Sequence, residues 1–234
     1  MGDEFSTSSV QDLFFVATDA GDRLLAEACV TIDGLYRHFF ERYMETRPSK
    51  PVRVYLFKDK ESFDAWHRKK WGSDPDTPYG FYLKSERTMV MNISTGLGTL
   101  CHEMVQPLIE SDFPSCPAWF NEGFASLFEQ CDARFRGLVN WRLKRLREGS
   151  VPSLREVMRT ATAQFYGNDK AANYAVARYL CYYLQEKKLL EKYYREFRDH
   201  VGMDPSGIKT LERVLGMRLD EFESEFRTFC LHLR

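Results

Sequence analysis

The chain has 234 residues, 44% of them hydrophobic and 15% aromatic, enough to bury a substantial core as one large domain or two small lobes, and disorder over most of its length is excluded. Lys plus Arg number 33 against 34 Asp plus Glu, a net charge of -1, which leaves no broad basic surface for nucleic acid or anionic lipid. Charges interrupt every apolar stretch well before the roughly 20 residues that a membrane-spanning helix needs, so a soluble chain with no transmembrane segment is expected.

The start, Met1-Gly2-Asp3-Glu4-Phe5-Ser6, fits the loose N-myristoylation pattern. No polybasic second signal follows, and the acidic pair would repel anionic lipid. A start trimmed behind an omitted leader is the better expectation, which leaves localisation unknown and export open. Further along, Leu13 to Ala17 reads as a strand. Residues 21 to 46 carry Leu24, Leu25, Ala28, Ile32, Leu35, Tyr36, Phe39 and Phe40 at helical spacing, an amphipathic helix stopping before Arg47-Pro48. Val52 to Phe57 alternates as a second strand. Asp59 can cap a short helix bearing Phe63, Trp66 and Trp71, after which Gly72 to Pro78 is a loop by composition. Gly80 to Lys84 and Thr88 to Asn92, parted by Ser85-Glu86-Arg87, form a hairpin signal.

Beyond Gly98 the pattern turns helical, with segments at about 97–111, 117–130, 135–148, 153–161, 170–186, 188–200, 206–215 and 218–232. Ser153 with Glu156 supplies a capping box. Six cysteines, Cys29, Cys101, Cys116, Cys131, Cys181 and Cys230, lack the spacing of a disulfide scaffold or zinc knuckle and read as buried free thiols, although their even number leaves the compartment open. No repeat or low-complexity segment interrupts the chain. An α+β chain is expected, with an N-terminal α/β lobe holding a small mixed sheet (about 8–112) and a C-terminal helical lobe (about 113–234), both within one domain spanning 1–234.

The chemistry-bearing motif stands where the lobes join: Cys101-His102-Glu103-Met104-Val105-Gln106-Pro107, then Trp119-Phe120-Asn121-Glu122-Gly123 on the next predicted helix. Helix positions four apart share a face, so 102 and 106 point the same way. This is the spacing of HExxH, in which two histidines hold zinc, the glutamate takes a proton from metal-bound water, and a carboxylate from a following helix completes the protein ligands.

These residues resemble the gluzincin zinc metallopeptidases, and more closely their peptidase MA-like domains. The likeness rests on Gly80-Phe81-Tyr82, on His102-Glu103, on Pro117-Ala118-Trp119-Phe120-Asn121-Glu122-Gly123-Phe124-Ala125, and on Asn173-Tyr174-Ala175-Val176-Ala177-Arg178-Tyr179-Leu180, and covers about residues 80 to 200. It implies a thermolysin-like catalytic domain with its active-site cleft between the lobes. It further implies His102 and Glu122 as zinc ligands, Glu103 as general base, and Tyr174 as donor to the developing oxyanion, with Tyr166, Tyr179, Tyr182 and Tyr183 nearby in sequence.

The family's second histidine falls on Gln106, whose neutral amide oxygen suits calcium or magnesium better than zinc, so Zn2+ is expected to be weakly held or absent. A natural loss of catalysis, a deliberate inactivating substitution and an unusual working ligand set all stay open. Pro107 should bend the helix just after position 106.

The function expected is therefore hydrolysis of peptide bonds in a peptide or protein substrate by metal-activated water, reduced or lost through Gln106. The alternative is a pseudopeptidase that binds an extended peptide by strand addition near Thr88 to Asn92. Plainer readings stand beside these: His102 as a hydrogen-bonded helix histidine, Glu103 as a solvated carboxylate, Glu122 as a first-turn acid answering the helix dipole. Trp119 and Phe120 read as packing anchors, Cys101 as core, and residues 141 to 147 as a solvated basic face. His38, His67, His200 and His232 read as surface or partly buried side chains, any of which could in principle replace the missing ligand through space.

Overall fold

In the computed structural model residues 5–148, 150–167 and 169–233 are described, so Met1 to Glu4, with the myristoylation-like Gly2, lie outside the described residues. Two compact units are distinguished: residues up to Glu41 together with Glu45–Asp112, and Arg42–Met44 together with residues from Phe113 onward. Among the described residues no helix is long and apolar enough to cross a membrane.

The first unit is a mixed sheet with helices on it. Its strands are β1 (Ser6–Val10), β2 (Phe14–Thr18), β3 (Val52–Phe57), β4 (Gly80–Leu83) and β5 (Thr88–Asn92), and its helices α1 (Asp22–Arg42), α2 (Lys60–Trp71) and α3 (Gly98–Asp112). The strand order is β1-β2-β3-β5-β4. The three central strands run parallel, and each edge strand is antiparallel to its neighbour.

Alternation decides which side is core. Val52, Val54 and Leu56 of β3 are fully buried, in register with Phe14 and Val16 on one side and with Met89 and Met91 on the other. The ring of Tyr36 lies 6.2 Å from that of Phe14, which puts the apolar stripe of α1 on this face. On the opposite face Phe57, Phe63 and Val90 form a cluster packed by Tyr55, Trp66, Trp71 and Phe81. The helix that carries Phe63 starts where expected, with the Asp59 carboxylate accepting from the Ser62 N–H at 2.8 Å. Strand β4 opens on Gly80 at φ +154, where a Cβ would lie 2.6 Å from the Val90 carbonyl, so only glycine fits.

The strand expected to offer a free edge, Thr88 to Asn92, does not. It is β5, paired with β3 on one side and β4 on the other, so its backbone groups are used, and the open edge on that side belongs to Gly80–Leu83. The Asn92 N–H bonds the Tyr79 carbonyl at 2.8 Å. Antiparallel pairs alternate, so the backbone groups of Gly80 and Tyr82 point away from β5, toward the open side.

The second unit is helical: α4 (Ala118–Phe128), α5 (Arg142–Arg147), α6 (Leu154–Arg159), α7 (Thr162–Gly167), α8 (Lys170–Glu186), α9 (Leu190–His200), α10 (Ile208–Leu215) and α11 (Leu219–His232). Trp119 and Phe120 are fully buried packing anchors, with Phe197 and the α9 tyrosines Tyr193 and Tyr194 around them. The capping box of Ser153 and Glu156 is present. None of the six cysteines is bridged; Cys101, Cys181 and Cys230 are buried, and Cys29, Cys116 and Cys131 half-buried.

The helix expected over 135–148 shrinks to Arg142–Arg147, because the chain ahead of it is tied into a loop by α8. The Arg178 guanidinium donates to the carbonyls of Ser126 and Leu138, Tyr179 clasps the backbone of Asn140 at 3.0 and 3.1 Å, and Gln185 clasps Gly137 at 2.7 and 3.0 Å. Within the loop, the Asp132 carboxylate accepts from the N–H groups of Arg136 at 3.0 Å and Arg134 at 2.8 Å. These backbone bonds hold its carboxyl below the usual carboxylate range. The folded pKa thus lies under the unfolded one, so the loop is fully stabilised above the ordinary Asp value and loosens as pH falls through the depressed one. Amide exchange at Arg134 and Arg136, corrected for intrinsic rates, should stay protected down to about pH 4 and lose protection below it.

Candidate functional site

The sequence-predicted residues fall in both units, and each group has its own local geometry. In the first unit His102, Glu103 and Gln106 lie on α3. One turn apart, His102 and Gln106 share a side of the helix; His102 is buried, whereas Glu103, Gln106 and Glu110 form a half-exposed stripe.

Pro107 does not end this helix, which runs on to Asp112. Its missing N–H withdraws the helical donor that would reach the carbonyl of residue 103. The chain leaves the helix beyond Asp112, whose carboxylate accepts from the N–H groups of Glu45 and Thr46 at 2.7 Å each.

Helix α3 also lies against the open-edged strand. Tyr82 of β4 donates to Glu110 at 3.0 Å, and Lys84 pairs with the same carboxylate at 2.8 Å. Burial, with Glu110 beside it, pushes the Tyr82 hydroxyl well above the usual tyrosine range, so it stays a donor. The Glu103, Gln106 and Glu110 stripe therefore belongs to the helix that flanks an unfilled strand edge.

In the second unit Glu122 is buried, 6% exposed, in the second turn of α4. A first-turn, dipole-answering role does not describe it, since the first turn of this helix carries no acid. Its Oε1 accepts from the Tyr166 hydroxyl at 2.7 Å. Tyr166 comes from α7, a six-residue helix that sequence periodicity missed between the segments at 153–161 and 170–186. The Asn173 side-chain amide pins it to α8 by donating to the Phe165 carbonyl at 3.0 Å. Tyr174, the expected oxyanion donor, is half-buried, its ring 5.3 Å from Phe165 and 6.4 Å from Tyr166. The structure thus gathers Glu122, Tyr166 and Tyr174, with the Tyr166 hydroxyl on the carboxylate.

Gly123 lets α4 approach α8 so closely that a Cβ there would sit 2.6 Å from the Ala177 carbonyl oxygen. That obstacle is backbone and cannot swing aside. Gly123→Ala should therefore lower stability by about 1–3 kcal/mol in thermal or urea unfolding, and it should move the neighbouring Glu122 carboxylate off the Tyr166 hydroxyl.

Outside these groups, His67, His200 and His232 each hold Nδ1 at 2.7–2.8 Å from a backbone carbonyl, and His38 stands beside the Phe39 ring. Among the described residues no group of three or more His, Cys, Asp and Glu side chains is placed to hold a metal ion. The donors under consideration are one imidazole, one carboxylate and one neutral amide oxygen, and the carboxylate already accepts a tyrosine O–H. That set matches a resident zinc poorly, because zinc favours imidazole and thiolate over amide oxygen.

No known protein-family profile matches this chain, and no curated protein matches it.

Proposed function

We propose that this chain carries the thermolysin-like catalytic domain of a gluzincin-type metallopeptidase, disabled at Gln106, and that it now holds an extended peptide without cutting it at an enzyme's rate. The observation that carries this reading is Glu122. The family pattern requires a carboxylate at that place, and a helix of apolar side chains buries one there against a tyrosine hydroxyl. A buried carboxylate is costly unless it is hydrogen-bonded or holds a cation, so a buried acid in this motif favours a role inside the fold over one answering the helix dipole.

In the intact ancestor, His102, a histidine at position 106 and Glu122 would hold zinc, which would supply Lewis-acid chemistry there. Glu103 would take the proton from the attacking water. Tyr174, with Tyr166 as the alternative, would donate to the oxyanion. Replacing one imidazole by an amide leaves the base and the hydroxyls in place and removes the metal affinity they depend on.

The binding half of the reading draws on β4, whose outward Gly80 and Tyr82 backbone groups can pair with an added strand beside α3. Titrating a labelled pool of unstructured peptides into the protein, purified without added metal and treated with EDTA, tests both halves. Binding without cleavage, unaltered by EDTA, is expected, with zinc well below one ion per chain. Stoichiometric, tightly held zinc, or binding abolished by EDTA, would overturn the proposal.

A further inference from the structure

Phe81 stands on β4 between Gly80 and Tyr82, the two residues whose backbone groups point to the open edge. An antiparallel strand bonded there faces Phe81 across a pair that shares no backbone hydrogen bonds, where Cα atoms come within about 4.5 Å and facing side chains are closest. Phe81 is in register with Val90 and projects on the α2 side of the sheet. Its ring meets those of Trp71 at 5.7 Å, His67 at 5.8 Å and Phe63 at 6.3 Å. Phe63 is fully buried, whereas Phe81, His67 and Trp71 are half-buried, so the cluster keeps part of its aromatic surface in solvent.

These rings are already held in place. His67 Nδ1 lies 2.7 Å from the Ser73 carbonyl oxygen, and the Lys70 ammonium lies 4.6 Å from the centroid of the Trp71 ring. Side chains ordered before binding lose little freedom when a ligand arrives. Charge then narrows the ligand. Lys70 is paired with Glu86, Arg68 with Asp74 at 2.6 Å, and Lys84 with Glu110 at 2.8 Å. Lys69, two residues from Trp71, stands on the opposite side of α2. With its flanking cations neutralised, this face offers ring surface rather than charge. An anionic side chain would lose water there without gaining a partner, and the ammonium over Trp71 repels a second cation.

We propose that Phe81 and Trp71 are the specificity-determining residues for the bound peptide, selecting an uncharged aromatic side chain at the position that faces Phe81. This inference rests on the strand-addition reading above and adds the class of peptide.

Four end-capped, fluorescein-labelled heptapeptides test it by polarisation, each made of threonine and serine around a single central phenylalanine, alanine, lysine or glutamate. The wild-type protein should bind the phenylalanine peptide about three- to tenfold more tightly than the alanine peptide, the range an aromatic pair supplies. The lysine and glutamate peptides should bind no more tightly than the alanine one. Trp71→Leu and Phe81→Leu keep apolar bulk in the cluster, and each should bring the phenylalanine-to-alanine ratio below about two, whereas Phe81→Tyr should preserve it. Equal binding of the phenylalanine and alanine peptides by wild type, a preference for the lysine or glutamate peptide, or a ratio that survives either leucine variant would overturn this inference and leave the strand-addition reading standing. Absence of binding to all four peptides would overturn both.

Discussion

Gln106→His is expected to raise the zinc content of the purified protein to about one ion per chain, the occupancy of a three-ligand catalytic site, and to switch on hydrolysis of unstructured peptides. The direction follows from donor chemistry. Loss of even an outer partner of a metal ligand typically costs about 10–100-fold in affinity, and an imidazole exchanged for a neutral amide costs more. Hydrolysis should depend on Glu103: adding Glu103→Ala to the Gln106→His variant should lower the rate by about 10²- to 10⁴-fold, the usual contribution of a general base, with zinc retained. Zinc content by mass spectrometry and hydrolysis of a quenched casein substrate read both effects. A variant that takes up no zinc and cuts nothing would sink the descent from a metallopeptidase.

The second large effect concerns Arg178, fully buried on α8 with no carboxylate partner among the described residues. Burial draws its guanidinium below the usual arginine range, yet two carbonyls, those of Ser126 and Leu138, accept hydrogen bonds from it. One belongs to α4, four residues beyond Glu122, and the other to the loop ahead of α5. Replacing it with methionine frees the chain from a costly buried charge, but it strips a donor from each carbonyl at about 1–3 kcal/mol apiece. The net expectation is a loss of about 2–4 kcal/mol, with the melting temperature falling by about 10 °C. Arg178→Lys should fall between, since one ammonium on a narrower head cannot span both carbonyls. An unchanged melting temperature in the methionine variant would contradict this account of the loop.

Strong periodicity and helix caps are the most legible features of this sequence. Lys170–Glu186 was expected at those bounds, and the caps at Asp59 and Ser153 are those the residues suggested. The failures have physical causes. Strand β1 is Ser-Thr-Ser-Ser-Val with its middle exposed, so no apolar alternation announced it. Helix α7 is six residues long and exists because Asn173 pins it. The helix expected from 135 lost its first turns to side chains of α8, with Phe135 turned to φ 59. The free strand edge was misplaced because local pattern shows that a hairpin exists and not which of its strands lies outside. Within the site, His102, Glu103, Gln106 and Glu122 were legible as a spacing, whereas the hydroxyl bonded to Glu122 was not. Tyr166 sits 44 residues from its partner, in a segment without helical signal.

One measurement bears on the central claim that positions 102, 106 and 122 descend from a single metal-holding set. Zinc-edge X-ray absorption of the Gln106→His protein loaded with one equivalent of zinc should give two imidazole nitrogens at about 2.0–2.1 Å and carboxylate oxygen near the same distance. The imidazole signal should drop by one in the variant that also carries His102→Ala, and the carboxylate oxygen should be lost with Glu122→Ala. Sulfur at about 2.3 Å, or a spectrum indifferent to His102 and Glu122, would place the metal on cysteines elsewhere and end the account.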